Sequence, residues 1–308
     1  MPRQFGIPYM GSKQLIADWV VEHFKCAEHF YDLFCGGCAV THAAMLSGKF
    51  ADFTANDVNP HTLLFGDAIR GKFLNEERWI SRDDFFALKD TDSLVAVAWS
   101  YGNNEREYTY NPNLEEYQHA LHEALYWRSY ERMMLLYGID LRPIDSELFA
   151  ERCRRARAII KKAIANGHDF CDEVLNSMSE GSLTTGAPVK SIKRINNCCR
   201  LAPHANKLQQ TIGDYRDVTI KPNSLIYCDI PYKNTADYGV DFNHDEFYEW
   251  ALRQPNIIIS EYSMPSEFVE IDAKYKQCSF SQKNNNKVVE RLFIPRRNEQ
   301  FFVKTTLF

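Results

Sequence analysis

The string Leu225-Ile226-Tyr227-Cys228-Asp229-Ile230-Pro231-Tyr232 ends an apolar run with an acid, a proline-fixed turn and an aromatic ring. The run reads as a buried strand, and its polar end suits the carboxyl edge of an α/β sheet, where such folds bind their ligands. The Asp229 carboxylate and the Ile230 carbonyl would offer two hydrogen-bond acceptors beside the Tyr232 ring. Two acceptors and a flat plate fit an exocyclic amino group on a planar heterocycle. Asp and Pro are also ordinary turn residues, so a plain strand-to-turn junction is the competing reading.

A second group of residues fits a cofactor turn. Phe30 to Phe34 reads as a strand that breaks into Cys35-Gly36-Gly37-Cys38 ahead of a helix from Ala39 to Leu46. Glycines let a backbone pass close to a ligand, and the N–H groups at the start of the next helix attract its negative end. The following strand, 52–56, runs into Asp57, the position from which α/β nucleotide sites hold ribose hydroxyls. A helix-capping acid ahead of Asn59-Pro60 is the alternative. The glycine spacing is not G-x-G-x-x-G, which leaves a dehydrogenase little support. Cys35 and Cys38 have C-x-x-C spacing, but no second C-x-x-C or Cys/His pair accompanies them, so no metal is expected. His42 and His61 stand singly in helical patterns and are read as core or surface residues.

These turns need a scaffold that brings strand ends together. The order strand, glycine turn, helix, strand from Phe30 to Pro60 predicts the start of a parallel doubly wound sheet. Strand signals return at 224–228, 256–260 and 291–294, with a helix over 245–253. Between these parts the rhythm is helical, at 114–134 and again at 156–164, where Asn166-Gly167 stops it. The expected organisation is an α/β domain made of residues 1–66 and 206–308, interrupted by a mainly helical insert, 67–205. Within the insert the polar loop Gly181–Gly186 reads equally as a groove-inserting element or a hairpin turn, and Asn284–Asn286 near the other end reads as a turn.

Composition narrows the setting. With 308 residues and 45% hydrophobic content the chain can bury such a core. No apolar run approaches the roughly 18 residues needed to cross a bilayer, and the first residues lack the order of a secretory signal. Nine scattered cysteines, an odd number, suit a reducing compartment. A soluble, cytoplasmic protein without a membrane partner is expected. The net charge of −5 argues mildly against a nucleic-acid partner, yet residues 151–210 hold 11 lysines and arginines against 5 acids. Arg152, Arg154, Arg155, Arg157, Lys161 and Lys162 lie along one helical segment, and Lys190, Lys193, Arg194 and Arg200 along another. Such residues would bind phosphates and set register; a solvated helix face is the alternative.

Taken in chain order, Tyr9-Met10-Gly11-Ser12-Lys13, Asp32-Leu33-Phe34-Cys35-Gly36-Gly37, Asn56-Asp57, Gly213-Asp214-Tyr215 and Asp229-Ile230-Pro231-Tyr232 resemble the motif series of Dam-type (alpha-class) DNA N6-adenine methyltransferases. The resemblance reaches both ends of the chain; the insert resembles the family only loosely and stands where that family has its target-recognition region. It implies a Rossmann-like methyltransferase fold with a helical recognition insert, S-adenosylmethionine as cofactor, and double-stranded DNA as substrate. It also implies a flipped-out adenine whose N6 takes the methyl group, and it is compatible with a restriction endonuclease partner. Residue by residue, the loop with Tyr9, Gly11, Ser12 and Lys13 would close over the methionine end of the cofactor. Asp32, Phe34 and Gly36 would form the cofactor turn, Asp57 would hold the ribose, and Asp214 with Tyr215 would border the adenine ring. Asp229, Ile230, Pro231 and Tyr232 would be the catalytic tetrad, and Arg154, Arg155, Lys162, Lys190, Lys193 and Arg194 the DNA contacts.

Read from the residues alone, Lys13 could as well be a solvated helix-start lysine and Asp214 a turn residue. Two departures from the family stand out. Cys35 and Cys38 replace small residues or glycine, which matters if the position needs positive φ. Ile230 replaces a proline whose carbonyl the family uses; Ile keeps that carbonyl but restores an N–H and frees φ. Cytosine N4 and RNA amino groups need the same two acceptors, and the departures leave an inactive DNA- or cofactor-binding protein as a further alternative.

Overall fold

Short runs rich in aromatic and β-branched residues form the centre of a seven-stranded sheet, as expected for strands covered on both faces. The computed structural model describes residues 4–168, 187–232, 242–277 and 287–302. The strands are β1 (His29–Asp32), β2 (Asp52–Asp57), β3 (Leu208–Ile212), β4 (Ser224–Asp229), β5 (Ile257–Glu261), β6 (Phe268–Gln277) and β7 (Lys287–Pro295), in the spatial order β3-β2-β1-β4-β5-β7-β6. Neighbours from β3 to β5 are parallel, while β7 runs antiparallel to both β5 and β6. This mixed α/β architecture is consistent with the S-adenosylmethionine-dependent methyltransferase fold that the motifs imply.

Two of these strands escape a reading by periodicity. Leu-Gln-Gln-Thr-Ile of β3 lies at a sheet edge and buries no residue fully, so its composition carries little apolar signal. The other edge strand, β6, is charged along much of its length and has a register shift between Glu270 and Asp272. Charges and bulges are common devices on edge strands, and they mask the period-two pattern.

The described residues group into two compact units. The first consists of Met1–Gly6, Ser12–Gly66 and Arg200–Phe308 and contains the whole sheet; the second consists of Ile7–Gly11 and Asp67–Cys199. The helices in chain order are α1 (Ala17–Glu22), α2 (Ala39–Ser47), α3 (Leu64–Ile69), α4 (Arg82–Leu88), α5 (Ser93–Ala98), α6 (Pro112–His122), α7 (Glu131–Tyr137), α8 (Phe149–Ala165), α9 (Ala187–Asn197), α10 (His244–Arg253) and α11 (Glu299–Phe302).

One core of the first unit gathers Tyr31, Ile226, Cys228, Phe247, Ile257 and Ile259, so α10 covers the face of β1, β4 and β5. In the second unit α6, α7 and α8 close over Tyr117, Leu121, Leu125, Met133, Ala156 and Ile160. The helical stretch expected over 114–134 is not continuous: α6 passes into a π-helical turn, Glu123–Trp127, and Arg128 at φ 56° ends it in the left-handed region. That break lets α7 start in a new direction. Within α8 the expected stop at Asn166-Gly167 is found, with the last carbonyls capped by the Asn166 N–H. Gly181–Gly186 and Asn284–Asn286 lie outside the described residues. Among the described residues no helix is long and apolar enough to cross a membrane.

Candidate active site

The order of strands reverses on either side of β1 and β4, and in open α/β sheets the crevice outside the carboxyl ends at such a point is where ligands bind. Three strands end there in acids: Asp32 on β1, Asp57 on β2 and Asp229 on β4.

The first two acids build the glycine turn. The Gly36 N–H donates to Asp57 Oδ2 at 2.8 Å, and the Asn59 N–H donates to Oδ1 at 2.9 Å. Asp57 therefore both caps the chain that follows it and holds the turn; each oxygen keeps a lone pair for a further donor. Burial pushes its carboxyl above the usual range, against the pull of the Asn59, Gly36 and Val58 N–H groups. Asp32 is fully buried: Thr41 donates to Oδ2 at 2.7 Å, and Oδ1 has no hydrogen-bond partner among the described residues. Burial lifts its carboxyl up to about 7, with the charges of Asp229 and Asp57 adding to the rise.

Around them the chain is tightly fixed. The Asn56 amide donates to the carbonyls of Leu33 and Gly213 and accepts from Thr211, joining the ends of β1 and β3. Gly36 takes φ 45° and Cys38 φ 54°, so Cys38 does occupy a left-handed position that favours glycine. Burial raises both thiols of Cys35 and Cys38, which marks them as packing groups rather than nucleophiles. Gly6 presses onto the turn: its N–H donates to His42 Nδ1 at 3.0 Å, and a Cβ there would meet the Gly37 carbonyl oxygen at 2.1 Å. His42 is a core residue, as its single placement suggests.

The third acid is the centre of a second cluster. Lys13 Nζ lies 2.7 Å from Asp229 Oδ1 and 3.6 Å from Glu290 Oε2, and 4.6 Å above the Tyr232 ring. Lys13 is 6% and Glu290 3% exposed, so this is a buried ion-pair network and not a solvated lysine. Burial raises the Asp229 carboxyl; Lys13 opposes that rise and favours the charged form. The Tyr232 hydroxyl donates to Glu290 Oε2 at 2.7 Å, and its ring meets Tyr262 edge-on at 4.4 Å. His244 donates to the Pro231 carbonyl at 2.8 Å, which pins the turn after β4. Ile230 offers more than a carbonyl: its side chain is buried in the core against α10.

Phe34 and Tyr215 come together at 5.3 Å, with Phe242 and Phe247 edge-on to Phe34, forming an aromatic wall beside the glycine turn. Asp214 caps the turn after β3 and is held by the Arg216 guanidinium, which keeps its carboxyl below the usual range. The plain turn role read for Asp214 is thus present. Tyr9 and Gly11 group with the second unit, whereas Ser12 and Lys13 group with the first.

Glu290, Thr41 and His244 are functional candidates that residue spacing does not single out, and Asn56 stands in the motif series only as the neighbour of Asp57. Glu290 left one trace, an acid inside the otherwise apolar Val288-Val289-Glu290-Arg291-Leu292-Phe293-Ile294. Buried acids inside a strand need partners, and these are set by the fold.

In the second unit the basic residues divide. Arg152 is buried and donates to the carbonyls of Leu125 and Ser146, a structural role that corrects its place on the solvent-facing stripe. Arg154 and Arg155 both pair with Glu151. Burial lowers the half-buried Arg194 to about 10. Lys161, Lys162, Lys190 and Lys193 are exposed. Among the described residues no group of three or more His, Cys, Asp or Glu could hold a metal ion.

Residues 9–139 match the family model of D12 class N6 adenine-specific DNA methyltransferases. The match agrees with the Dam-type resemblance of the motifs, and the activity the family implies is enzymatic transfer of a methyl group from S-adenosylmethionine to adenine N6 in DNA. It covers the glycine turn, Asp57 and the first part of the helical unit, and it ends before the Asp229 tetrad. A search of curated proteins finds no match.

Proposed function

We propose that this chain methylates N6 of an adenine flipped out of duplex DNA, with Asp229 and the Ile230 carbonyl as the acceptors of the target amino group. The observation that carries this reading is the placement of a part-buried Asp229, paired with the buried Lys13, at the end of β4, beside the turn built by Asp32 and Asp57 at the ends of β1 and β2. The residues present fit S-adenosylmethionine: an orphaned buried oxygen on Asp32 awaits a donor, Asp57 keeps acceptor capacity for a ribose hydroxyl, and Phe34 with Tyr215 supplies an apolar wall. When bound, the cofactor supplies an activated methyl group on a sulfonium.

The protein's own part is positioning and charge. The lone pair of an adenine amino nitrogen is delocalised into the ring, and it becomes nucleophilic as the nitrogen turns tetrahedral. Asp229 and Ile230 favour that geometry by accepting the two N–H groups. Lys13 keeps Asp229 ionised until the amino group takes over as its partner. Tyr232 stacks on the extruded base, which in a duplex must leave the helix to be reached. Lys162, Lys190 and Lys193, with Lys161, form the phosphate-binding part of a helical recognition unit, residues 67–205.

Labelled S-adenosylmethionine and unmethylated duplex DNA test this directly. Asp229→Ala should abolish transfer while calorimetry still shows cofactor binding, because the carboxylate acts on the target amino group and contributes in the transition state. Turnover at the wild-type rate by Asp229→Ala would defeat the mechanism.

A further inference from the structure

Tyr232 follows Pro231 off the end of β4, and its ring orientation about two side-chain torsions is set by its neighbours, Lys13 over its face and Tyr262 at its edge among them. A stacking plate that rotates is a poor one. Its hydroxyl, too, is tied at 2.7 Å to a carboxylate from another strand of the same sheet, Glu290 on β7, two strands away from β4. A buried acid at 3% exposure is costly unless it is paired and hydrogen-bonded. Glu290 Oε2 meets the Tyr232 hydroxyl and, at a longer 3.6 Å, the Lys13 ammonium that also serves Asp229.

We propose that Glu290 is a positioning residue for the methyl transfer, holding the Tyr232 ring in its stacking orientation through the phenol hydroxyl. The proposal rests on the reading that Tyr232 stacks on the target base. It assigns the hydroxyl a role that stacking alone does not require, and it makes β7 part of the active site. The Lys13 contact is secondary: at 3.6 Å from Glu290, Lys13 lies closer to Asp229, at 2.7 Å.

A double-mutant cycle on the full-length protein tests this, reading kcat for transfer of labelled methyl groups to unmethylated duplex DNA and the cofactor Kd by calorimetry. Tyr232→Phe and Glu290→Ala should each lower kcat about tenfold, with the cofactor Kd within about twofold of wild type, as expected for loss of one buried hydrogen bond to the base-binding side. The Tyr232 hydroxyl also hydrogen-bonds the Asp229 carboxylate, so the double variant should lose no more than Tyr232→Phe alone, which already removes the bond to Glu290. Glu290→Gln, which retains an acceptor for the hydroxyl, should recover most of the rate. If Glu290→Ala does not fold, a slowed Tyr232→Phe beside a nearly normal Glu290→Gln supports the proposal alone. Losses that multiply to roughly a hundredfold in the double variant would overturn it. So would Glu290→Gln as slow as Glu290→Ala, or an unimpaired Tyr232→Phe. An inactive wild-type protein would instead overturn the methyl-transfer reading and this proposal with it, whereas an active wild type with unaffected variants sinks the proposal alone.

Discussion

Asp32 shows what burial does to a single group. Its carboxyl is lifted from 3.8 to about 7, so between those values the folded chain binds a proton that the unfolded chain has lost. The contribution of Asp32 to stability is therefore fully present at low pH and declines as pH rises through about 7. Asp32→Asn keeps the shape and removes the titration. Thermal unfolding of that variant should depend less on pH between about 4 and 7 than that of the wild-type protein, the linkage amounting to about 1.4 kcal/mol per unit of pKa shift. Identical pH profiles would mean that Asp32 is not titrating in this window. A donor from the cofactor on Asp32 Oδ1 would favour the charged form, so cofactor affinity should strengthen as pH rises towards 7. The acid itself is legible in the sequence as the end of a strand; that one of its oxygens has no partner among the described residues is not, because this depends on which side chains, here Thr41, the fold brings to it.

At the scale of elements, the glycine turn is shaped by what packs on it. Gly6 adopts φ +66° and lies so close to the turn that a Cβ would sit 2.1 Å from the Gly37 oxygen and 2.8 Å from the Ala39 nitrogen. Both atoms are backbone, so neither can swing aside. Gly6→Ala should destabilise the fold by about 3 kcal/mol in urea unfolding, through overpacking and strain at a positive φ, and should weaken cofactor binding. An unchanged midpoint would show that the N-terminal segment does not press on the turn. Periodicity points to β1, β2, β4, β5, β7, α2 and α10 because each buries a regular face. It passes over β3 and β6, whose edge positions leave one side to polar residues, and it merges α6 with α7 because the left-handed Arg128 has no compositional signature.

At the scale of the whole molecule, charge is segregated: the chain is acidic overall, yet α8 and α9 carry exposed lysines. Reversal of Lys161, Lys162, Lys190 and Lys193 to Glu should weaken binding to duplex DNA of any sequence and reduce the salt slope by about one for each phosphate no longer neutralised. Cofactor affinity should not change. Filter-binding or anisotropy titrations over a range of salt would show this, and an unaltered salt slope would mean the lysines only solvate the helices. Arg152 is unsuited to such a test, since its guanidinium caps carbonyls inside the helical core and its reversal would unfold the unit.

The sequence by itself determined the chemistry that is local in the chain. An acid, a carbonyl and an aromatic ring in one tetrad, a glycine turn after a strand, and an acid after the next strand are all written within a few residues, and a parallel sheet brings strand ends together without further instruction. Tertiary structure decided how each group is partnered. Lys13 is marked in the sequence by its motif, but its joint contact with Asp229 and Glu290, both far from it along the chain, arises only because the N-terminal segment and β7 converge on the end of β4. Partnership of that kind depends on burial and on distances across strands, and neither has a period or a motif from which it could be read.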